Sequence, residues 1–142
     1  MAYKIFVDTN VYLDFLLHRG TEWEKAEAVM ELAEKNFIEI FTSSSSMLNL
    51  IYIMSNYKIT KQNIIAYSDT LLTYSTLVSP NNTTFRSALL SGFANLEDAV
   101  QYYTAIHIKG IDYFITSNVK DFKKATIQLP VLTPAQFMDL YK

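Results

Sequence analysis

The feature that most limits what this chain can become is its alternation of short apolar runs with longer stretches of helical period. Apolar runs at residues 3–8, 37–41, 77–78, 112–116 and 128–132 read as buried strands, each short and bounded by turn or cap residues. Between them, apolar residues recur three and four apart. Parallel strands need long crossover connections, so this order predicts an α/β chain with a central, mainly parallel sheet covered by helices on both faces.

Local signals set the helix boundaries. Residues 11–17 predict a short helix with Val11 and Phe15 inward, and Thr21 with Glu24 predicts a capping box opening a helix through Lys35. Its inner face is Ala26, Val29, Met30 and Ala33. A helix over 47–54 is apolar nearly all round apart from Asn49, Thr60 caps one over 61–74, and another covers 84–90. Asn95 caps a helix expected to close at Gly110, with Leu96, Ala99, Val100 and Tyr103 as its apolar stripe. Residues 119–122 read as a loop or single turn, and Thr133 and Pro134 open the last helix.

A length of 142 residues suits one domain, 1–142, with one sizeable core. There is no cysteine, which excludes disulfides, zinc–thiolate sites and a cysteine nucleophile. The N-terminal segment lacks the apolar core and cleavage site of a signal peptide, and LNLIYIM is far shorter than a bilayer span. A cytoplasmic chain with no membrane partner is the expectation. The net charge of −2 gives no global attraction for nucleic acid, so any such binding needs a local patch.

In a parallel sheet the C-terminal ends of the strands share one edge, and ligands bind there. Asp8 ends the first apolar run on that edge. Glu97 and Asp98 lie in the first turn of the helix capped by Asn95, and Asn118 and Asp121 follow the strand DYFIT. Each has a plainer reading: Asp8 as a helix cap, Asp98 as the closing member of a capping box, Asp121 as a solvated turn residue. Together, however, their charges repel unless a cation sits among them. Oxygen donors point to a hard ion, Mg2+ or Mn2+, and such a site suits phosphoryl chemistry.

These residues carry a resemblance to the PIN domain, the metal-dependent ribonuclease fold of VapC-type toxins. VDTNV at 7–11 resembles its opening motif, and LEDAVQYYTAIHIKGIDYFITSNVKDF at 96–122 resembles its acidic helix, following strand and Asn-x-x-Asp turn. The resemblance implies a three-layer α/β/α sandwich and a Mg2+- or Mn2+-dependent endoribonuclease. It makes Asp8, Asp98 and Asp121 the catalytic and metal-binding carboxylates, with Asn118 beside the last. It also implies a homodimer and a small antitoxin protein as partner. Helix geometry alone does not choose between Glu97 and Asp98.

The sequence departs from the family pattern at two places. Asn49 stands where relatives carry a glutamate, and an amide adds no charge and cannot serve as a base. Thr116-Ser117 stands where many relatives place a basic residue. Asn10, Asn49, Glu97 and Asn118 are therefore candidates for supporting roles. Lys120, Lys123, Lys124 and Arg19 are candidates for RNA contacts, each with the alternative of a solvated charge. His18 and His107 have no partner at metal-ligand spacing and receive no catalytic role, and Tyr52, Tyr102 and Tyr103 suit packing or a dimer interface. A phosphatase of the haloacid-dehalogenase kind also begins on a strand ending in Asp, but it needs a second acid where this chain has Asn10. A non-catalytic RNA- or protein-binding relative is the remaining alternative.

Overall fold

A computed structural model describes residues 2–125 and 128–141. The elements run β1 (Tyr3–Val7), α1 (Thr9–Leu17), α2 (Trp23–Glu34), β2 (Ile38–Ser43), α3 (Ser44–Asn56), α4 (Lys61–Tyr74) and β3 (Ser75–Val78). There follow α5 (Asn82–Leu89), α6 (Leu96–Ile106), β4 (Tyr113–Ile115), a 3-10 turn (Val119–Phe122), β5 (Val131–Leu132) and α7 (Pro134–Tyr141). The sheet order is β3-β2-β1-β4-β5, and each neighbouring pair is parallel. The chain winds outward from β1 to β3 and then returns to place β4 on the other side of β1. The strand order therefore reverses between β1 and β4, where an open parallel sheet leaves a crevice.

Alternation along the strands divides the interior. Ile5 and Val7 of β1, Ile38 and Ile40 of β2 and Ile115 of β4 face a core built with α1, α2, α3, α4 and α7. Phe6, Phe41 and Phe114 face a second core with Ala88 of α5 and Ala99, Tyr102 and Ala105 of α6. Two helical layers thus cover one sheet, the three-layer sandwich expected. Phe6 and Phe114 stack at 5.3 Å across the β1–β4 pair, holding together the two strands that flank the crevice.

Several sequence expectations shift. The Thr21–Glu24 capping box does not form: α2 begins at Trp23 after Glu22, with no side-chain cap bond. The helix placed at 84–90 starts two residues earlier, because Asn81 and Thr84 make a true capping box. The helix over 96–110 ends at Ile106, and Gly110 serves a later turn with φ +78°. The last strand is only Val131–Leu132. Thr60 does cap α4, accepting from the Asn63 N–H at 3.2 Å. Among the described residues, no helix is long and apolar enough to cross a membrane.

Candidate active site

β1 delivers Asp8 to the crevice. Its N–H still pairs with the Ile115 carbonyl at 2.9 Å, so the residue extends the sheet by one rung beyond the strand proper. It precedes α1 at the cap position, where its side chain makes no well-formed capping bond and the N–H groups of Thr9 and Asn10 act on its charge only as the weakest of its stabilising contacts. The carboxylate is instead buried, 2 % exposed, between two neutral donors. Gln101 Nε2 of α6 donates to Oδ1 at 2.9 Å, and the Thr116 hydroxyl, just past β4, donates to Oδ2 at 2.8 Å. Burial pushes the Asp8 carboxyl above its ordinary range, and those two hydrogen bonds, with the N–H groups of Thr9 and Asn10, pull the other way.

The remaining acidic residues arrive on helix and turn. Asn95 caps α6 by accepting from the Asp98 N–H at 3.1 Å. The reciprocal side-chain bond that closes the box at Asn81 and Thr84 is not formed by Asp98 among the described residues, so capping does not account for its carboxylate. The apolar stripe of α6 also lies elsewhere than expected. Ala99, Tyr102 and Ala105 turn inward with Gln101 and Thr104, while Leu96 is 48 % exposed. This rotation separates the two candidate acids. Glu97 accepts from Asn49 Nδ2 at 2.9 Å, whereas Asp98 is half-buried. Burial first, and then the charges of Asp8, Asp121 and Glu97, push the Asp98 carboxyl up to about 7.

Asp121 lies on the 3-10 turn, which begins where the Asn118 N–H bonds Thr116 Oγ1 at 3.1 Å and closes with Asp121 N–H to the Asn118 carbonyl at 3.0 Å. A cleft of about 340 Å3 gathers Asp8, Thr9, Asn10, Asn49, Glu97, Asp98, Asn118 and Asp121. Of the cationic candidates, Lys120, Lys123 and Lys124 are exposed around the turn. Arg19 is engaged: it pairs with Asp14 at 3.0 Å and also bonds Asn10 Oδ1 at 3.2 Å and the Tyr57 hydroxyl at 3.0 Å. Asp14 in turn accepts from the Ser117 hydroxyl at 2.8 Å. His18 ends α1 in a left-handed conformation and stacks on Trp23 at 4.2 Å, His107 is an exposed C-cap, and Tyr52 is 65 % exposed rather than packed.

Sequence reasoning missed Gln101, Thr116, Ser46 and Thr9. All four are buried polar residues; Gln101, between Val100 and Tyr102, interrupts an apolar stretch and could have been noticed, whereas Thr9, Ser46 and Thr116 lie in polar stretches that give no sign of burial.

The donor set can be tested against a hard divalent cation. Among the described residues, no three His, Cys, Asp or Glu side chains converge into a ready metal cage. Mg2+ does not require one, since it is commonly held by one or two carboxylates and completes its shell with water. Two observations fit such an ion. The Asp98 carboxyl is raised by burial and then by the charges of Asp8, Asp121 and Glu97, and a cation would relieve that second part. Thr9 Oγ1, buried on a residue lining the cleft, has no hydrogen-bond partner among the described residues.

The fold and this crevice define a class, a parallel α/β domain with acidic residues at its switch point. The PIN domain family model matches residues 4–120, and the chain belongs to the PIN-domain family. The architecture is similar to VapBC2 from Rickettsia felis, solved bound to a DNA fragment from its promoter, with TM-score 0.68 and 19% identity over 92% of this chain and 98% of that one. It is also similar to VapC20 of Mycobacterium tuberculosis, a toxin that cleaves the sarcin–ricin loop, with TM-score 0.65 and 15% identity over 89% and 98%. FitAB bound to an IR36 DNA fragment gives TM-score 0.63 and 15% identity over 92% and 94%. No curated protein matches the chain by sequence. At these identities the structural likeness speaks for the fold.

Proposed function

We propose that this protein is a Mg2+- or Mn2+-dependent endoribonuclease that hydrolyses RNA phosphodiester bonds as the cytoplasmic, homodimeric toxin of a toxin–antitoxin pair. The observation that carries this reading is Asp98, a half-buried carboxyl pushed up to about 7 by burial and by the charges of Asp8, Asp121 and Glu97 around a solvent-reaching cleft. Perturbed acids clustered in a cleft mark functional sites. Membership of the PIN-domain family and the likeness to VapC20 support the same chemistry.

A bound Mg2+ or Mn2+ would lower the pKa of an attacking water and neutralise charge building on the phosphate. Asp8, Asp98 and Asp121 are the residues that would hold it. Asp8, gripped on both oxygens by Gln101 and Thr116, is the buried member of the set and lines the cleft. Asn118 and Asn10 line the same cleft and supply neutral polar contacts, while Lys120, Lys123 and Lys124 are placed to hold the RNA backbone beside it.

The test is an RNase assay with and without Mn2+ on wild type, Asp98→Asn and Asn49→Glu. Metal-dependent cleavage by wild type that falls in Asp98→Asn is the expected result, and equal activity or equal silence in all three overturns the assignment. A non-catalytic RNA- or protein-binding module is favoured by one observation, the Asn49–Glu97 bond, which occupies one acid of the cluster with a neutral amide. Retained RNA binding with no cleavage at any Mn2+ concentration would establish that second reading.

A further inference from the structure

Gln101 is 2 % exposed on α6, one turn beyond Asp98. A buried primary amide is costly unless both its ends find partners. Here both do. Its Nε2 donates to Asp8 Oδ1 at 2.9 Å, while its Oε1 accepts from the Ser46 hydroxyl at 3.0 Å and from the Thr9 backbone N–H at 3.4 Å. The direction of the amide follows from Thr9, because a backbone N–H can only donate. The Gln101 oxygen must therefore face Thr9, and its NH2 must face Asp8.

The second carboxylate oxygen is fixed by the same logic. The Asn118 N–H donates to Thr116 Oγ1 at 3.1 Å, which leaves the Thr116 hydroxyl proton for Asp8 Oδ2 at 2.8 Å. Asp8 is thus held from α6 on one side and from β4 on the other, and its plane cannot turn without breaking a buried bond. Gln101 also reaches α3. Ser46–Gln101 and Asn49–Glu97 form two rungs between α3 and α6, spaced by about one helical turn on each. The helix that contributes no charge to the cleft is docked through the residue that orients its most buried carboxylate.

We propose that Gln101 is a positioning residue, setting the orientation of the Asp8 carboxylate toward a divalent cation and linking that orientation to the seating of α3. Its effect passes through Asp8. The cation part of the proposal rests on the ribonuclease reading, whereas the Gln101–Asp8 hydrogen bond does not.

The experiment combines NMR of the metal-free protein with calorimetric Mn2+ titration in the absence of RNA, on wild type, Gln101→Met and Gln101→Glu. Wild type should show a slowly exchanging Gln101 side-chain amide. Gln101→Met should weaken Mn2+ binding by about 10- to 100-fold, the cost of losing a ligand's hydrogen-bond partner. Gln101→Glu keeps an acceptor for Ser46 and Thr9 but loses the donor to Asp8. It should weaken binding as much and make Mn2+ affinity steeply pH-dependent, because two facing carboxyls compete for one proton. A purely structural role predicts a Gln101→Glu variant with wild-type affinity and pH profile, and that result overturns the proposal. So does a rapidly exchanging amide in wild type, which decides the matter even if both variants fail to fold. Absence of Mn2+ binding by wild type overturns the ribonuclease reading and the cation part of the proposal, leaving the amide signal to decide the Asp8 bond.

Discussion

Asp8 and Asp121 line the same cleft, but opposite physical means place them there. Asp8 sits in the interior with a donor on each oxygen, whereas Asp121 stands exposed on a short turn. Asp98 is intermediate, fixed at its backbone by Asn95 but with a carboxyl that feels its neighbours mainly as repulsion. The difference teaches that one carboxylate is set by the fold while the others depend on what enters the cleft. A site with one rigid and two responsive acids would stiffen when a cation binds.

The largest test of this contrast is activity. Asp8→Asn should reduce Mn2+-dependent RNA cleavage by about 10³-fold, at the upper end for losing one preorganised electrostatic contact. Stability separates the two halves next. In thermal unfolding without metal, Asp8→Ala should cost about 1–3 kcal/mol, since it strands the buried donors of Gln101 and Thr116. Asp121→Ala should stay within about 0.5 kcal/mol, as expected for an exposed turn position. Equal losses at the two positions would break the comparison.

A third change acts on the charge that α3 lacks. Asn49→Glu should tighten Mn2+ binding roughly tenfold, on the order of one added charge contact near a surface, while lowering the unfolding temperature of the metal-free protein through repulsion with Glu97. Calorimetry and melting curves measure the two effects.

The smallest effect is a pH slope. The Asp98 carboxyl is raised in the folded state from 3.8 to about 7, so the native protein binds more protons than the unfolded chain between those values. Stability of the metal-free protein should therefore be fully present below about pH 4 as far as this group is concerned, and should fall as pH rises toward 7. Solvent screening at a half-exposed group keeps the slope shallow, and Asp98→Asn should flatten it.

Much of this was legible because strands and helix starts announce themselves locally. Ile5 to Val7 followed by Asp8, the Asn95 cap before Glu97 and Asp98, and DYFIT before Asn118 and Asp121 each placed an acid on the same edge from short-range pattern alone. Local pattern left Glu97 and Asp98 open and only the family motif favoured Asp98; their different surroundings follow from the true inward face of α6. Reading Leu96, Ala99, Val100 and Tyr103 as the stripe failed because the helix buries Gln101 and Thr104 beside Tyr102, and polar residues inside erase the periodicity that marks a face. Gln101 touches Asp8 across 93 positions and Thr116 does so across 108, separations at which no local pattern operates. The Thr21 cap failed for a nearer reason: the chain enters α2 through Glu22, one residue later than the pattern suggests.

Arg19 is the cation whose place in the structure departs most from its apparent purpose. Joined to Asp14, Asn10 and Tyr57, it spends its charge inside the protein, bracing the wall of the cleft. A nucleic-acid strand crossing this edge would then meet its cations on one flank, at Lys120, Lys123 and Lys124. Three phosphate contacts to a single strand release few counterions, so affinity should fall with the logarithm of salt concentration with a slope of only about −2. Doubling the salt would then weaken such binding about fourfold, a mild loss beside that of a protein gripping many phosphates, so the shape of the strand would carry a larger share of recognition.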